Sequence, residues 1–175
     1  MATLNDICKN LSIAVYGNYE SLMMYDENEK YAPGGWTRSL VNQTVFEING
    51  TTPTGNTTTI TTANDNYYRD LTTGFEAAVY RNLTTGEIVI SFRGTDSPLD
   101  ILVDGYLATG NFISQVSKAE EFFLAVLEQY CKNADGTYDT SKVTLTGHSL
   151  GGALAQVIGA ENNITTYTYN APGML

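Results

Sequence analysis

Apolar residues Leu4, Ile7, Cys8, Leu11, Ala14 and Val15 recur at the three-and-four spacing of one helix face. The chain therefore opens on an amphipathic helix, with Thr3 and Asp6 placed as a weak capping box and Gly17 ending the pattern. Residues 31–35 read as a loop, and Trp36 as a core anchor. Residues 50–65 are rich in Thr, Gly and Asn and predict a surface excursion or short hairpin. Beyond Tyr67 and Tyr68 the period changes to that of strands. Residues 75–80 and 87–92 form two apolar runs separated by Asn82-Leu83-Thr84-Thr85-Gly86, which predicts an antiparallel hairpin.

The helical period returns over residues 114–131, where Val116, Phe122, Phe123, Val126, Leu127 and Tyr130 mark one face. Asp135-Gly136 is a turn signal, residues 142–146 read as a strand, residues 153–158 as a helix, and residues 165–169 as another strand. The order of hairpin, helix, strand, helix, strand predicts an α/β protein, a mixed sheet with crossover helices. No internal repeat or second domain is visible, so residues 1–175 are expected to form one domain.

The strand over 142–146 and the helix over 153–158 are joined by Gly147-His148-Ser149-Leu150-Gly151-Gly152. Strand, G-x-S-x-G and helix in that order are the context of a nucleophile elbow, which makes Ser149 the candidate nucleophile. Gly147 and Gly151 leave room for close backbone approach, and His148 is a supporting residue inside the turn. The helix N-terminus beneath Ser149 favours a developing negative charge, and the Leu150 amide is the expected first oxyanion donor. A second donor is expected where the strand over 87–92 leaves the sheet through Arg93-Gly94, at Thr95.

Taken together, Ser91-Phe92-Arg93-Gly94-Thr95, Asp100-Ile101-Leu102-Val103-Asp104, the elbow and Tyr169-Asn170-Ala171-Pro172-Gly173 resemble the class 3, fungal-type lipases, and bacterial members of that group most of all. The resemblance runs from about Gly74 to Gly173. It implies an α/β-hydrolase fold, Ser149 as nucleophile, Thr95 and the Leu150 amide as oxyanion donors, and a lipid ester as substrate. It also implies an aspartate and a histidine on loops after later strands, for which this chain has no matching positions. The fold is accordingly expected to be incomplete at the C-terminus.

His148 is the one histidine of the chain, and its place on a strand-to-turn segment predicts a ring directed away from the serine hydroxyl. The general base of such chemistry would then come from sequence beyond Leu175 or from another chain. Alone, the chain is expected to show trace ester hydrolysis or none. A competing expectation is a remnant or interaction module that keeps the fold without a complete triad. Asp96, Asp100 and Asp104 lie near the expected site mouth, where they position a loop or bind a substrate head group, or are simply solvated or cap a following helix; Asp100 is read as one of the latter, and Asp104 as making a structural bond near the oxyanion strand. Residues 98–111 occupy the place of a lid, and their apolar content equally suits a helix packed on the core.

Composition narrows the partners. The formal net charge of −10 opposes nucleic acid, which needs clustered Lys and Arg, and disfavours anionic membranes. No run approaches the roughly 20 apolar residues of a membrane span. No classical signal peptide is recognisable at the N-terminus, so a soluble protein, exported if at all by a non-classical route, is expected. No cofactor is needed for the expected chemistry, and no metal motif is present. Cys8 and Cys131 read as two buried thiols. The N-x-S/T patterns beginning at Asn10, Asn42, Asn49, Asn56, Asn82 and Asn163 follow from the Asn- and Thr-rich composition.

Overall fold

The computed structural model describes residues 3–16, 35–39, 67–70, 73–94 and 110–173. The expected excursion over 50–65, the loop over 31–34, Gly17, Thr95, Asp96, Asp100, Asp104 and residues 98–109 of the lid segment lie outside these. So do Asn42, Asn49 and Asn56.

The first helix, α1, spans Leu4–Ala14. Its N-terminus is closed by the full capping box: the Asp6 amide donates to the Thr3 hydroxyl and the Thr3 amide donates to the Asp6 carboxylate. Two short strands, β1 (Trp36–Ser39) and β2 (Tyr67–Arg69), pair antiparallel with β3 (Glu76–Asn82). Neither short strand is legible as a strand from the sequence alone, whereas the buried position of Trp36 is as expected. β3 turns through Gly86, which holds a positive φ of 76°, and pairs antiparallel with β4 (Ile88–Phe92).

Two parallel crossovers follow. Helix α2 (Gly110–Tyr130) carries the chain from β4 to β5 (Val143–His148), and helix α3 (Leu150–Asn162) carries it from β5 to β6 (Thr165–Tyr169). Helix α2 starts one turn earlier than the apolar period predicts, so the backbone at the end of the expected lid segment, residues 110–111, is already helical. The strand path is β1-β3-β4-β5-β6, with β2 also on β3, antiparallel on one side and parallel on the other.

Alternation along the central strands builds two cores. Val79, Ile88, Ile90, Phe92, Val143 and Leu145 pack with Phe122, Phe123 and Val126 of α2 and with Leu150, Leu154 and Ile158 of α3. On the opposite face Ala78, Tyr80 and Val89 pack with Cys8, Leu11, Ala14 and Val15 of α1. Helix α1 is also tied by hydrogen bonds to backbone carbonyls along its length. The buried Ser91 hydroxyl donates to the Leu11 carbonyl over 3.0 Å. The Thr146 hydroxyl lies 3.2 Å from the Cys8 carbonyl and 2.9 Å from that of Tyr167, and its single proton serves one at a time. Polar groups buried in this way hold one orientation, because an unpaired alternative costs about 1–3 kcal/mol.

Both cysteines are buried and unpaired with one another. Burial pushes the Cys8 thiol up to about 12, and the Cys131 thiol is raised for the same reason. Both are therefore packing groups rather than nucleophiles at neutral pH.

Candidate active site

The polypeptide reverses from β5 into α3 at a single residue. Ser149 has φ 58° and ψ −129°, outside the regions that side chains ordinarily occupy. The turn is held on both sides. The Ser149 amide donates to the Tyr169 carbonyl at the end of β6 over 2.9 Å, and the Ser149 carbonyl accepts from Gly152 and Ala153 at 2.9 and 3.2 Å. Such over-determination is what keeps a strained residue in place, at a conformational cost of about 1–3 kcal/mol. The side chain of Ser149 makes no capping hydrogen bond to the helix that it precedes.

The flanking glycines are needed for space. A Cβ on Gly147 would overlap the Gly151 carbonyl and stand 2.7 Å from the Gly152 nitrogen. One on Gly151 would overlap the Phe92 carbonyl and stand 2.7 Å from the carbonyl carbon of Arg93. Helix α3 thus begins in direct backbone contact with the end of β4. Gly152 is equally confined, against the side chains of Ala171 and Thr168.

The end of β4 comes to the elbow. Its last ladder partner is Phe92 opposite Gly147, after which Arg93 and Gly94 leave the sheet. A Cβ on Gly94 would stand 3.2 Å from the Leu150 nitrogen, so the strand exit passes beside that amide. Leu150 is the first residue of α3, where an amide has no acceptor within the helix. The exit is described as far as Gly94, and the next residue, Thr95, is outside the described residues.

His148 sits on the α1 face of the sheet, the side to which Thr146 also points. Its ring meets Tyr16 edge to face at 6.1 Å between centroids, and its Nε2 is 3.4 Å from Nδ2 of Asn170. Asn170 itself holds a left-handed φ of 48° just past β6. Burial lowers the His148 pKa from its ordinary value of 6.5, because partial desolvation penalises the imidazolium. The unfolded chain then binds more protons than the folded one near that value, so stability falls as pH drops through about 6.5 and levels off below the folded-state pKa. Thermal melts between about pH 7 and about pH 5 are expected to show a smaller loss for His148→Phe than for the unsubstituted protein. Equal losses would show that the ring titrates alike in both states.

Tyr16, just beyond α1, is a residue of this site that apolar periodicity does not reveal. Its hydroxyl accepts from the Gly94 amide at 2.9 Å and lies 3.4 Å from the His148 carbonyl, a long hydrogen bond. The Arg93 guanidinium lies 5.2 Å from its ring centroid, and Arg93 is ion-paired with Glu76 of β3. Asn170 was visible in the sequence only as part of a strand exit, although an asparagine at such a position tolerates a left-handed φ. Among the described residues, no group of three or more His, Cys, Asp or Glu side chains is placed to hold a metal ion. None of the described helices is long and apolar enough to cross a membrane.

A mixed sheet with crossover helices and a serine at the tight turn after a central parallel strand is the architecture of α/β-hydrolases. The profile of the Tle-like phospholipase domain matches residues 20–175, and the chain belongs to that family. It is 34% identical over 77 residues to "Putative lipase ATG15" of Candida glabrata, a stretch covering 43% of this chain and 15% of that protein. The corresponding protein of Lodderomyces elongisporus is 38% identical over 61 residues, covering 34% of this chain and 11% of its own. The chain therefore spans a small part of the length of the curated relatives that it matches. Among solved structures, the lipase of Rhizopus microsporus var. chinensis superposes with a TM-score of 0.54 at 21% identity, over 98% of this chain and 59% of that one. At that identity the likeness concerns the fold.

Proposed function

We propose that this chain is the nucleophile-bearing part of a serine carboxylic-ester hydrolase acting on lipid esters, of the triacylglycerol lipase or phospholipase type. The observation that carries the proposal is the conformation of Ser149, held at a strained turn between β5 and α3 with its hydroxyl not engaged in capping the helix. Strain at a half-buried serine is of no use to packing, and in a nucleophile elbow it serves to present Oγ at the top of the sheet.

In the proposed reaction Ser149 Oγ attacks the acyl carbonyl while its proton passes to a general base. The C–O bond to the leaving alcohol breaks, and that alcohol takes up the proton. The resulting acyl-Ser149 ester is then hydrolysed by water, which regenerates the hydroxyl and releases the carboxylic acid. The oxyanion of each tetrahedral intermediate is held by the Leu150 amide, at the positive end of α3, and by Thr95. Gly147 and Gly151 make the turn possible, and His148 supports it from the α1 face. The position of the His148 ring, against Tyr16 and Asn170, supports a supporting role over that of base. The base and the acid that orients it belong to sequence beyond Leu175 or to a second chain. No cofactor takes part.

The names of the curated relatives and of the family support a lipid ester as substrate. The test is covalent capture. The protein at its natural full length is treated with a long-chain alkyl fluorophosphonate and mapped by peptide mass spectrometry. Modification is expected on Ser149 alone and absent from Ser149→Ala. A label on another residue that persists in Ser149→Ala overturns the assignment.

A further inference from the structure

The parallel ladder between β4 and β5 ends at the pair Phe92 and Gly147, two residues short of the proposed nucleophile. Beyond that pair, Gly151 of α3 abuts the backbone of Phe92 and Arg93, while Gly94 itself has left the ladder. Tyr16 restrains it. The Tyr16 hydroxyl accepts from the Gly94 amide at 2.9 Å on the β4 side and reaches the His148 carbonyl at 3.4 Å on the β5 side. Gly94 is pressed into this junction: a Cβ there would stand 2.6 Å from the Tyr16 hydroxyl, 2.6 Å from the His148 carbonyl and 3.2 Å from the Leu150 nitrogen.

We propose that Tyr16 is a positioning residue that clamps the ends of β4 and β5 together and so fixes the β4 exit at Gly94 against the Leu150 amide, the proposed oxyanion donor. The inference rests on the reading of Ser149 and Leu150 as reaction machinery. The phenol is well suited to the task, because one hydroxyl both accepts from an amide and donates to a carbonyl. Its ring has the Arg93 guanidinium 5.2 Å from its centroid and meets the His148 ring edge to face. Its backbone is equally fixed, since α1 is tied to β4 through Ser91 and to β5 through Thr146. The Glu76 carboxylate anchors Arg93 in turn, so the clamp extends to β3.

The consequence is geometric. Donors act on a developing oxyanion at about 2.7–3.1 Å, and losing one costs about 10²–10³-fold in turnover. A displacement of about 1 Å at a site of this kind costs about 10²-fold. Tyr16→Phe keeps the ring and deletes the hydroxyl.

The experiment compares the full-length protein and its Tyr16→Phe variant. It measures kcat and KM on a short-chain nitrophenyl ester, the rate of Ser149 phosphonylation, the melting temperature and hydrogen exchange at the Gly94 amide. The expected result is a kcat and a phosphonylation rate reduced about 10–100-fold, with KM within about twofold and an unchanged pH profile. Gly94 exchange should accelerate about tenfold or more, because its acceptor is gone. An unchanged kcat overturns the proposal, as does a raised KM at constant kcat, which would place Tyr16 on the substrate. Loss of activity only in proportion to unfolded protein also overturns it, in favour of a purely structural residue. If the unsubstituted protein neither hydrolyses the ester nor is labelled at Ser149, the reading of the machinery fails. Gly94 exchange then still separates the two failures: acceleration retains the clamp as a structural fact, and no acceleration removes it as well.

Discussion

Ser149→Gly is expected to melt at a higher temperature than Ser149→Ala while both lose ester hydrolysis. The strained φ of 58° and ψ of −129° are costly for any residue with a Cβ, and glycine adopts the mirror image of an extended conformation without that cost. Strain of about 1–3 kcal/mol is relieved, and the greater freedom of glycine in the unfolded chain returns about 0.5–1 kcal/mol of that. The net difference, about 0–2.5 kcal/mol and centred slightly above ~1 kcal/mol, corresponds to a few degrees, at about 2–4 °C per kcal/mol for a chain of this size. Ser149→Ala keeps the strain and removes a hydroxyl that makes no capping bond, so its stability should lie within about 0.5 kcal/mol of the unsubstituted protein. Both variants are expected to lose on the order of 10⁶ in turnover, to the level that binding and oxyanion stabilisation alone sustain. Thermal melts and nitrophenyl ester turnover of the three proteins test this together. A glycine variant no more stable than alanine would show that the elbow is unstrained. A variant retaining turnover would show that Ser149 is not the nucleophile.

Gly151→Ala is expected to prevent folding or to cost more than about 3 kcal/mol. Overpacking against side chains typically costs about 1–3 kcal/mol because rotamers give way. Here the new methyl would overlap the backbone of Phe92 and crowd the carbonyl carbon of Arg93, at the end of a strand buried between two helical layers. Neither group has a rotamer to change. Gly173→Ala is the control, since nothing among the described residues lies within 4 Å of a Cβ there, and its effect should stay within about 0.5 kcal/mol. Urea unfolding of the two variants decides the matter. Comparable midpoints would mean that α3 slides from β4 at little cost, and that the contact between helix start and strand end is not a constraint on the turn.

The long elements were legible because their patterns are local. The stripe Cys8, Leu11, Ala14, Val15 and the capping pair Thr3 and Asp6 mark α1 within one segment, and the glycine-terminated turn at Gly86 marks the hairpin. The elbow was equally readable, because a tight strand-to-helix turn leaves few residue types that fit at Gly147, Ser149 and Gly151. The short strands β1 and β2 were not legible. Four and three residues carry too little period, and their strand character comes from pairing along β3. Helix α2 starts one turn before its apolar period because Gly110 and Asn111 carry no apolar signal, whereas a helix, once nucleated, extends over such residues.

Tyr16 shows most clearly where local reading stops. Nothing at position 16 distinguishes that tyrosine from the eleven others among the chain's 12, and its partners Gly94 and His148 are 78 and 132 residues away. The linear order of residues by itself determined the helices with strong apolar period, the central hairpin, the parallel strands and the serine at the turn, because each follows from steric and hydrophobic rules acting over a few residues. Only the tertiary structure decided that the ring of His148 lies against Tyr16 and Asn170, that α3 starts on the backbone of β4, and that one phenol joins the two strand ends. Those facts depend on packing between segments remote in the chain, and packing of that kind leaves no periodic trace in either segment alone.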